Sequence, residues 1–309
     1  MSHAQTSNGR ADGMPNVALQ INLATSHGRG VMQGIAEYLH NHGPWRIFQS
    51  QLAYALPPIK AMPEDAYQGM ITQFVPGAWF EGGEINPSAR VAVTNAMAQL
   101  AVPTVVHDDL AIGRLGARHL LERQLPHLAY VGRKKHYSSE LRQQGFVETV
   151  VEAGRTVTVM PMDEDPSDGN AFTWDSGRAR LMDFMRQLPR PVGVMAFNDV
   201  RGWEVIDTCL ALGLRVPEDV AVLGVDNDEL LCAIPHPPLS SIQTDAQGVG
   251  YEAARLLDQM LRGQRVPVAR TVIAPKGVVT RRSTEILAVS DAAVIVAQRF
   301  IHEHSAEPI

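Results

Sequence analysis

Short apolar runs of strand length alternate with amphipathic helical periods along nearly the whole chain, and no other feature restricts the fold as strongly. VALQINLA (17–24) precedes a helix carrying Val31, Ile35, Tyr38 and Leu39 on one stripe, closed by Asn41-His42-Gly43-Pro44. RIFQSQ (46–51), GMITQF (69–74) and RVAVTN (90–95) read as strands, whereas 52–63, rich in Ala and Pro, predicts a short helix or loop. After TVVHDD a helix carries Ile112, Leu115, Gly116, His119 and Leu120 along one face. HLAYVG, TVTVMPM, VGVMAF, AVLGVD and RTVIAP continue the strands. Helices fall on SSELRQQGFVETVVEAG, from Trp174 to Leu188, from Val200 to Leu212 and from Val249 to Leu261. The prolines of HPPLSSIQTD exclude that segment from a central strand. A β-α unit repeated about eight or nine times predicts an α/β fold with parallel sheets covered by helices on both faces. Single cores stop growing near ~250–300 residues, so a chain of 309 residues is expected to divide into two doubly wound halves.

Charge narrows the partners. The chain carries 27 Lys and Arg against 33 Asp and Glu, a net charge of −6, so most of it is not expected to grip phosphates. No apolar run reaches the ~18 residues of a membrane span, and MSHAQTSNGRADGMPN has no apolar secretory core. Residues 1–15 read as a disordered leader. Two cysteines, Cys209 and Cys232, cannot form a disulfide framework and predict a reducing, cytoplasmic location. Asp291 to His304 forms a further helical period with Val294, Ala297, Phe300 and Ile301 on one face, with nothing after it to cover them. It reads as a domain cut short.

Four segments carry a family resemblance: TSHGRGVMQGIAEYL, VVHDDLAIGRLGARHLLER, ELRQQGF, and AFNDVRGWEVIDTCLALGLRVPEDVAVLGVDNDELL with IPHPPLSSIQTD after it. Together they resemble the effector-binding core of LacI/GalR-type regulators, which shares the fold of periplasmic sugar-binding proteins, from about Val17 to Thr284. The helix-turn-helix that opens LacI-type chains is missing here. RRSTEILAVSDAAVIVAQRFIHEHSAEPI instead resembles the linker and first helix of an AraC-type DNA-binding domain. That layout is similar to AraC-family regulators of the xylose-operon-activator type. The resemblance implies two Rossmann-like subdomains, 16–124 plus 239–268 and 125–238 plus 269–285, joined by crossover strands, with 286–309 opening a truncated DNA-binding domain. It also implies a monosaccharide, xylose or a relative, bound in a cleft between the subdomains, and no enzyme activity. Closure on the sugar would rearrange the attached DNA-binding domains. DNA would be a partner of the longer protein only, and a homodimer is expected, using an exposed first-helix face that includes Met32.

A sugar presents hydroxyls that donate and accept, plus apolar C–H faces, so its site wants carboxylates, Asn or Arg groups and an aromatic plate. In open α/β sheets such groups gather beyond the carboxyl ends of strands. Asp226 ends AVLGVD and matches the family Asp that accepts from sugar hydroxyls; its bland alternative is a helix N-cap ahead of Asp228 and Glu229. Asn198 matches a sugar-bonding Asn, and for both Asn198 and Asp199 helix capping is the alternative. Arg142, in LRQQGF, falls where the family places a bidentate sugar-binding Arg, against a plain surface Arg. Asp108 matches a ligand-facing position but competes with Asp109 as N-cap. Trp174 matches an aromatic offered to the sugar, with a core Trp as alternative. Ser26, His27 and Arg29 are expected to form the opposite lip and set specificity, with Gln73 as a weaker member.

Other signals imply no cofactor, no metal and no catalysis. GRLG (113–116) lies within a helix and is no dinucleotide fingerprint. There is no G-x-S-x-G elbow beside Ser26-His27. Asp226-Asn227-Asp228-Glu229 lacks EF-hand spacing, and His302-Glu303-His304 is too close-set for a dependable zinc site. Asp163, Glu164, Asp165 and Asp168 read as a solvated loop. A transport-type solute-binding protein of the same fold, a doubly wound enzyme and a regulator with a decayed site stand as alternatives.

Overall fold

The structure, a computed structural model, describes residues 14–49, 67–73, 89–162 and 174–286. The Ala/Pro stretch of 52–63, the acidic group around Asp163 to Asp168, the helical period from Asp291 to His304 and most of the 1–15 leader lie outside the described residues. Two compact units emerge. One takes the chain up to Asp109 together with His136–Ser138 and Thr244–Lys276; the other takes Leu110–Lys135, Ser139–Gln243 and the chain from Gly277.

The first unit is built on strands β1 (Asn16–Gln20), β2 (Arg46–Gln49), β3 (Gly69–Thr72), β4 (Ala89–Ala92), β5 (Thr104–His107) and β11 (Arg270–Ile273). They form one sheet in the order β11-β5-β4-β3-β1-β2, with every pairing parallel. Val17, Leu19, Ile71, Val91 and Val105 point to one face and are covered by helices α1 (Ser26–His42) and α7 (Ala246–Leu261) through Val31, Ile35, Val249, Ala253 and Leu257. The near-continuous apolar strands follow from a parallel sheet buried on both faces. Met32 packs against this core as well, so it does not offer the exposed apolar face expected from the sequence.

Helices α1 and α7 touch backbone to backbone. A Cβ built at Gly34 would lie inside the carbonyl oxygen of Gln247, and one at Gly250 would lie inside that of Val31. Glycine is therefore required at both positions, because any side chain would force two packed helices apart.

The second unit carries β6 (His127–Arg133), β7 (Val157–Met162), β8 (Val192–Ala196), β9 (Val220–Val225), β10 (Ser240–Gln243) and β12 (Gly277–Val279) in the order β12-β10-β9-β8-β6-β7. Only the β10–β12 pairing is antiparallel. One face packs Ala129, Val131, Val194 and Val222 against α4 (Trp174–Gln187) and α5 (Asp199–Ala211); the other packs Leu128, Tyr130, Met195 and Leu223 against α2 (Asp109–Leu121) and α3 (Tyr137–Glu152). A five-residue helix, α6 (Glu229–Ala233), follows β9. GRLG does lie within a helix, and its Gly113 lets α2 meet the α3 backbone at Arg142.

Three element assignments differ from the sequence reading. The HPPLSSIQTD segment does supply a central strand, because Pro237 and Pro238 end before Ser240 begins β10 and so cost it no ladder hydrogen bond. That strand belongs to the second sheet, not to a 239–268 piece of the first, while β11 belongs to the first sheet. Helix α2 from Leu110 on belongs to the second unit rather than the first, since Ile112, Ala117 and Leu120 join the β6–β9 core.

After β12 the chain makes a one-turn 3-10 helix, Arg282–Thr284, with Ser283 and Thr284 fully buried. Ser283 Oγ donates to Val222 O at 2.6 Å, and Arg123 Nε donates to Thr284 O at 2.6 Å. Thr284 Oγ1 lies 3.0 Å from Nε2 of His119. Burial, with the charge of Arg123 second, pushes His119 down to about 4. A lowered imidazole pKa means that the unfolded chain binds the proton more tightly, so this contribution is whole above pH ~6.5 and is lost as pH falls toward about 4. Among the described residues, no helix is long and apolar enough to cross a membrane.

Two outcomes are expected. Gly34→Ala should lower unfolding stability by about 1–3 kcal/mol or more, measured by urea denaturation. His119→Gln should flatten the fall in stability between pH ~6.5 and about 4 seen in the wild type; an unchanged slope would remove His119 as its source.

Candidate ligand site at the carboxyl ends of the strands

Strand order reverses in each sheet, at β1/β3 in the first and β6/β8 in the second. Ligands of doubly wound sheets bind outside the carboxyl ends at such points. Both edges are polar.

In the second unit, β8 and β9 run fully buried and release their first polar side chains at Asn198 and Asp226. Arg142 reaches this edge from α3. Its guanidinium is buried, donates from Nη1 to Phe197 O at 2.6 Å and lies 5.0 Å from the centre of the Phe197 ring. Its Nη2 stands 3.9 Å from Asp226 Oδ1, an ion pair too long to be a hydrogen bond. The surface-Arg alternative is thereby excluded. A fixed donor fork beside an acceptor-only carboxylate matches vicinal hydroxyls that both accept and donate.

Asp226 does not cap α6. That role falls to Asp228, whose carboxylate accepts from Leu230 N at 3.2 Å and Leu231 N at 3.4 Å. Asp226 and Asn227 instead adopt left-handed backbone, with φ of 105° and 53°. Such conformations cost free energy outside glycine and persist only where surrounding bonds impose them. Here Asp226 N donates to Ile242 O at 2.9 Å, Asn227 N to Ser241 Oγ at 3.0 Å and Asp228 N to Asp199 Oδ2 at 2.7 Å.

Asp199 is the residue that the sequence reading undervalued. It is the first residue of α5, but its carboxylate is buried beneath the turn, accepting also from Ser241 Oγ at 2.5 Å. Burial raises its pKa, the Asp226 charge raises it further, and the bonds from Ser241, Asp228 and Cys232 oppose both. The cap of α5 is Asn198, whose Oδ1 accepts from Arg201 N at 2.9 Å, so its capping alternative holds while its amide donor takes no part in the cap. Trp174 is the first residue of α4; its side chain lies outside the described residues.

In the first unit, Ser26, His27 and Arg29 occupy the opening turns of α1, which Thr25 caps by accepting from Gly28 N at 3.1 Å. Arg29 Nη1 donates to the carbonyls of Leu23 and Ala24, at 3.3 and 3.1 Å, in the loop before its own helix. Gln73 Oε1 accepts from Asn22 N at 3.0 Å and so staples the β1–α1 loop to the end of β3 at the switch point. His27 Nδ1 meets Nε2 of buried His107 at 3.0 Å, with the rings edge to face. Asp108 follows His107 at the end of β5, half-buried, and α2 begins one residue later. His107 escaped the sequence reading because it ends an otherwise apolar strand, TVVH. Among the described residues, no group of three or more His, Cys, Asp or Glu could hold a metal ion.

Comparison with known proteins follows the same line. The family model of the periplasmic binding protein-like domain matches residues 117–284. The chain is homologous to the xylose operon regulatory protein of Escherichia coli strain K12, at 27% identity over 95% of this chain and 75% of that protein. A solved structure of a xylose-binding transcription activator superposes with a TM-score of 0.79 at 25% identity, covering 96% of this chain and 76% of that one. A periplasmic binding protein/LacI transcriptional regulator from Alkaliphilus metalliredigens, solved with D-xylulofuranose, shares the fold, with a TM-score of 0.67 at 18% identity over 88% of this chain and 100% of that one.

A raised carboxyl pKa means that the folded state binds the proton more tightly, so Asp199 weakens the fold as pH rises above the ordinary carboxylate range. Asp199→Asn should therefore show a shallower loss of stability from weakly acidic toward neutral pH than the wild type, measured by urea denaturation across that range. An identical slope would mean that Asp199 titrates normally.

Proposed function

The chain belongs to the periplasmic binding protein-like domain family, and from that premise we propose that it is the effector-sensing domain of an AraC-family transcription regulator whose effector is a monosaccharide, xylose or a close relative. One observation carries the reading: the Arg142 fork and the Asp226 carboxylate stand 3.9 Å apart at the carboxyl edge of a switch-point sheet, an arrangement suited to neighbouring hydroxyls. Asp226 accepts from the sugar and Arg142 donates to it. The Asn198 amide donates alongside, and Trp174 supplies the apolar plate. Ser26, His27, Arg29, Gln73 and Asp108, at the carboxyl edge of the first unit, select among sugars. The relatives support the sensing role, being a xylose operon regulatory protein and a xylose-binding transcription activator. DNA contact belongs to an AraC-type domain opening within 286–309, in a cytoplasmic homodimer. Effector binding changes the population of states available to that domain.

Thermal unfolding against a panel of pentoses and hexoses at millimolar concentration tests the reading. A ligand that binds only the folded state adds about 2.7 kcal/mol at a hundredfold excess over Kd. One pentose should raise the midpoint, and Asp226→Ala or Arg142→Met should abolish the rise. A wild type unmoved by every sugar of the panel would overturn the monosaccharide assignment.

A further inference from the structure

The Asp226–Asn227 turn is held from one more direction, by a residue 54 positions further along the chain. Arg281 Nη2 donates to Asn227 Oδ1 at 2.8 Å, while its Nη1 donates to Leu239 O at 3.0 Å. Its own backbone is fixed on both sides: Arg281 N donates to Ser240 Oγ and Ser240 Oγ donates to Arg281 O, each at 2.7 Å. Immediately after it come Ser283 and Thr284, anchored to the sheet, to His119 and to Arg123. Arg281 thus joins two things. On one side is the strained loop that presents Asp226; on the other is the buried segment through which the chain leaves the second sheet.

We propose that Arg281 is a positioning residue for Asp226, acting through Asn227. Its guanidinium holds the left-handed turn, and it couples occupancy at Asp226 to the order of Arg281–Thr284. The backbone bonds alone leave Asn227 attached through its N–H to a serine hydroxyl, a rotor that is shared with Asp199. The bond to Asn227 Oδ1 restrains the side chain as well, and with it the φ of 53° that aims the preceding residue. Coupling of this kind is reciprocal: a ligand that tightens the turn tightens the segment, and loosening the segment weakens the ligand. Its effect on affinity rests on the sugar reading of Asp226; its effect on the turn does not.

Amide hydrogen exchange on the full chain separates the two. The N–H groups of Asp226, Asn227 and Asp228 are all hydrogen-bonded and report the turn directly. Arg281→Met should speed their exchange by about tenfold or more, as a local opening. Arg123→Met cuts one of the other anchors of the segment and should speed them clearly less than Arg281→Met; Asn227→Asp keeps the acceptor oxygen and should stay close to wild type. With D-xylose as probe, Arg281→Met should raise Kd by about fivefold or more, and saturating D-xylose should slow exchange at Ser283 and Thr284 in the wild type only. If Arg281→Met does not fold, Arg281→Lys, which keeps one donor, is measured in its place against the same control. Unchanged exchange at 226–228, or equal acceleration by Arg123→Met, would overturn the proposal. Faster exchange in an Arg281 variant of a wild type that binds no sugar would uphold the positioning role and sink the sugar reading alone.

Discussion

A strand buried on both faces can hold a polar side chain only where a neighbour satisfies it, or beyond its end. That constraint organises both units. β8 and β9 are apolar throughout, so the first polar groups that they release, Asn198 and Asp226, are set side by side by strand pairing alone. Arg142 can then be buried, because the carbonyl of Phe197 and the carboxylate of Asp226 meet its guanidinium at the same edge. A cation in that position without them would cost several kcal/mol. The chemistry of the edge is thus a by-product of how a parallel sheet must end.

Beneath that edge lies a second layer. Asp199 collects the N–H of Asp228, the hydroxyl of Ser241 and the thiol of Cys232. It does so at the expense of its own ionisation, since burial and the neighbouring Asp226 charge both resist it. The left-handed turn above is the return on that expense. Loop residues at the rim can present side chains reproducibly only where buried groups of this kind fix the backbone.

Much of this was legible in the sequence, and the omissions have physical reasons. Alternation of apolar runs and helical periods located most strands and helices of both sheets to within a few residues, because burial enforces it, while β12 and the short α6 went unassigned. The position of Asp226 after AVLGV was equally visible. Its left-handed backbone was not, since nothing local in Asp-Asn-Asp distinguishes a capping role from a strained turn; bonds to Ser241, Ile242 and Asp199 decide it. Arg281 was hidden for the same reason, as its partners lie far away in sequence. β10 was missed because prolines just ahead of a strand look, by composition, like prolines within it. The shared contact at Gly34 and Gly250 left a trace that could have been read: glycines inside two strongly amphipathic helices, where propensity alone disfavours them.

That glycine contact bears on how such a chain can change over generations. Helix α1 is clamped at its middle, where no substitution is tolerated without moving α7. Its first turn is anchored separately, by the Thr25 cap and by the close approach of Gly28 to the Asn22 carbonyl. Between these fixed points the side chains of Ser26, His27 and Arg29 stand half-buried or exposed, on backbone that does not depend on their identity. Exchanging them gives up local bonds to Leu23, Ala24 and His107 but leaves both fixed points in place. A lineage can therefore drift in what this rim accepts while the core stays under purifying selection, and variation among descendants should concentrate at these three positions rather than at the glycines beside them.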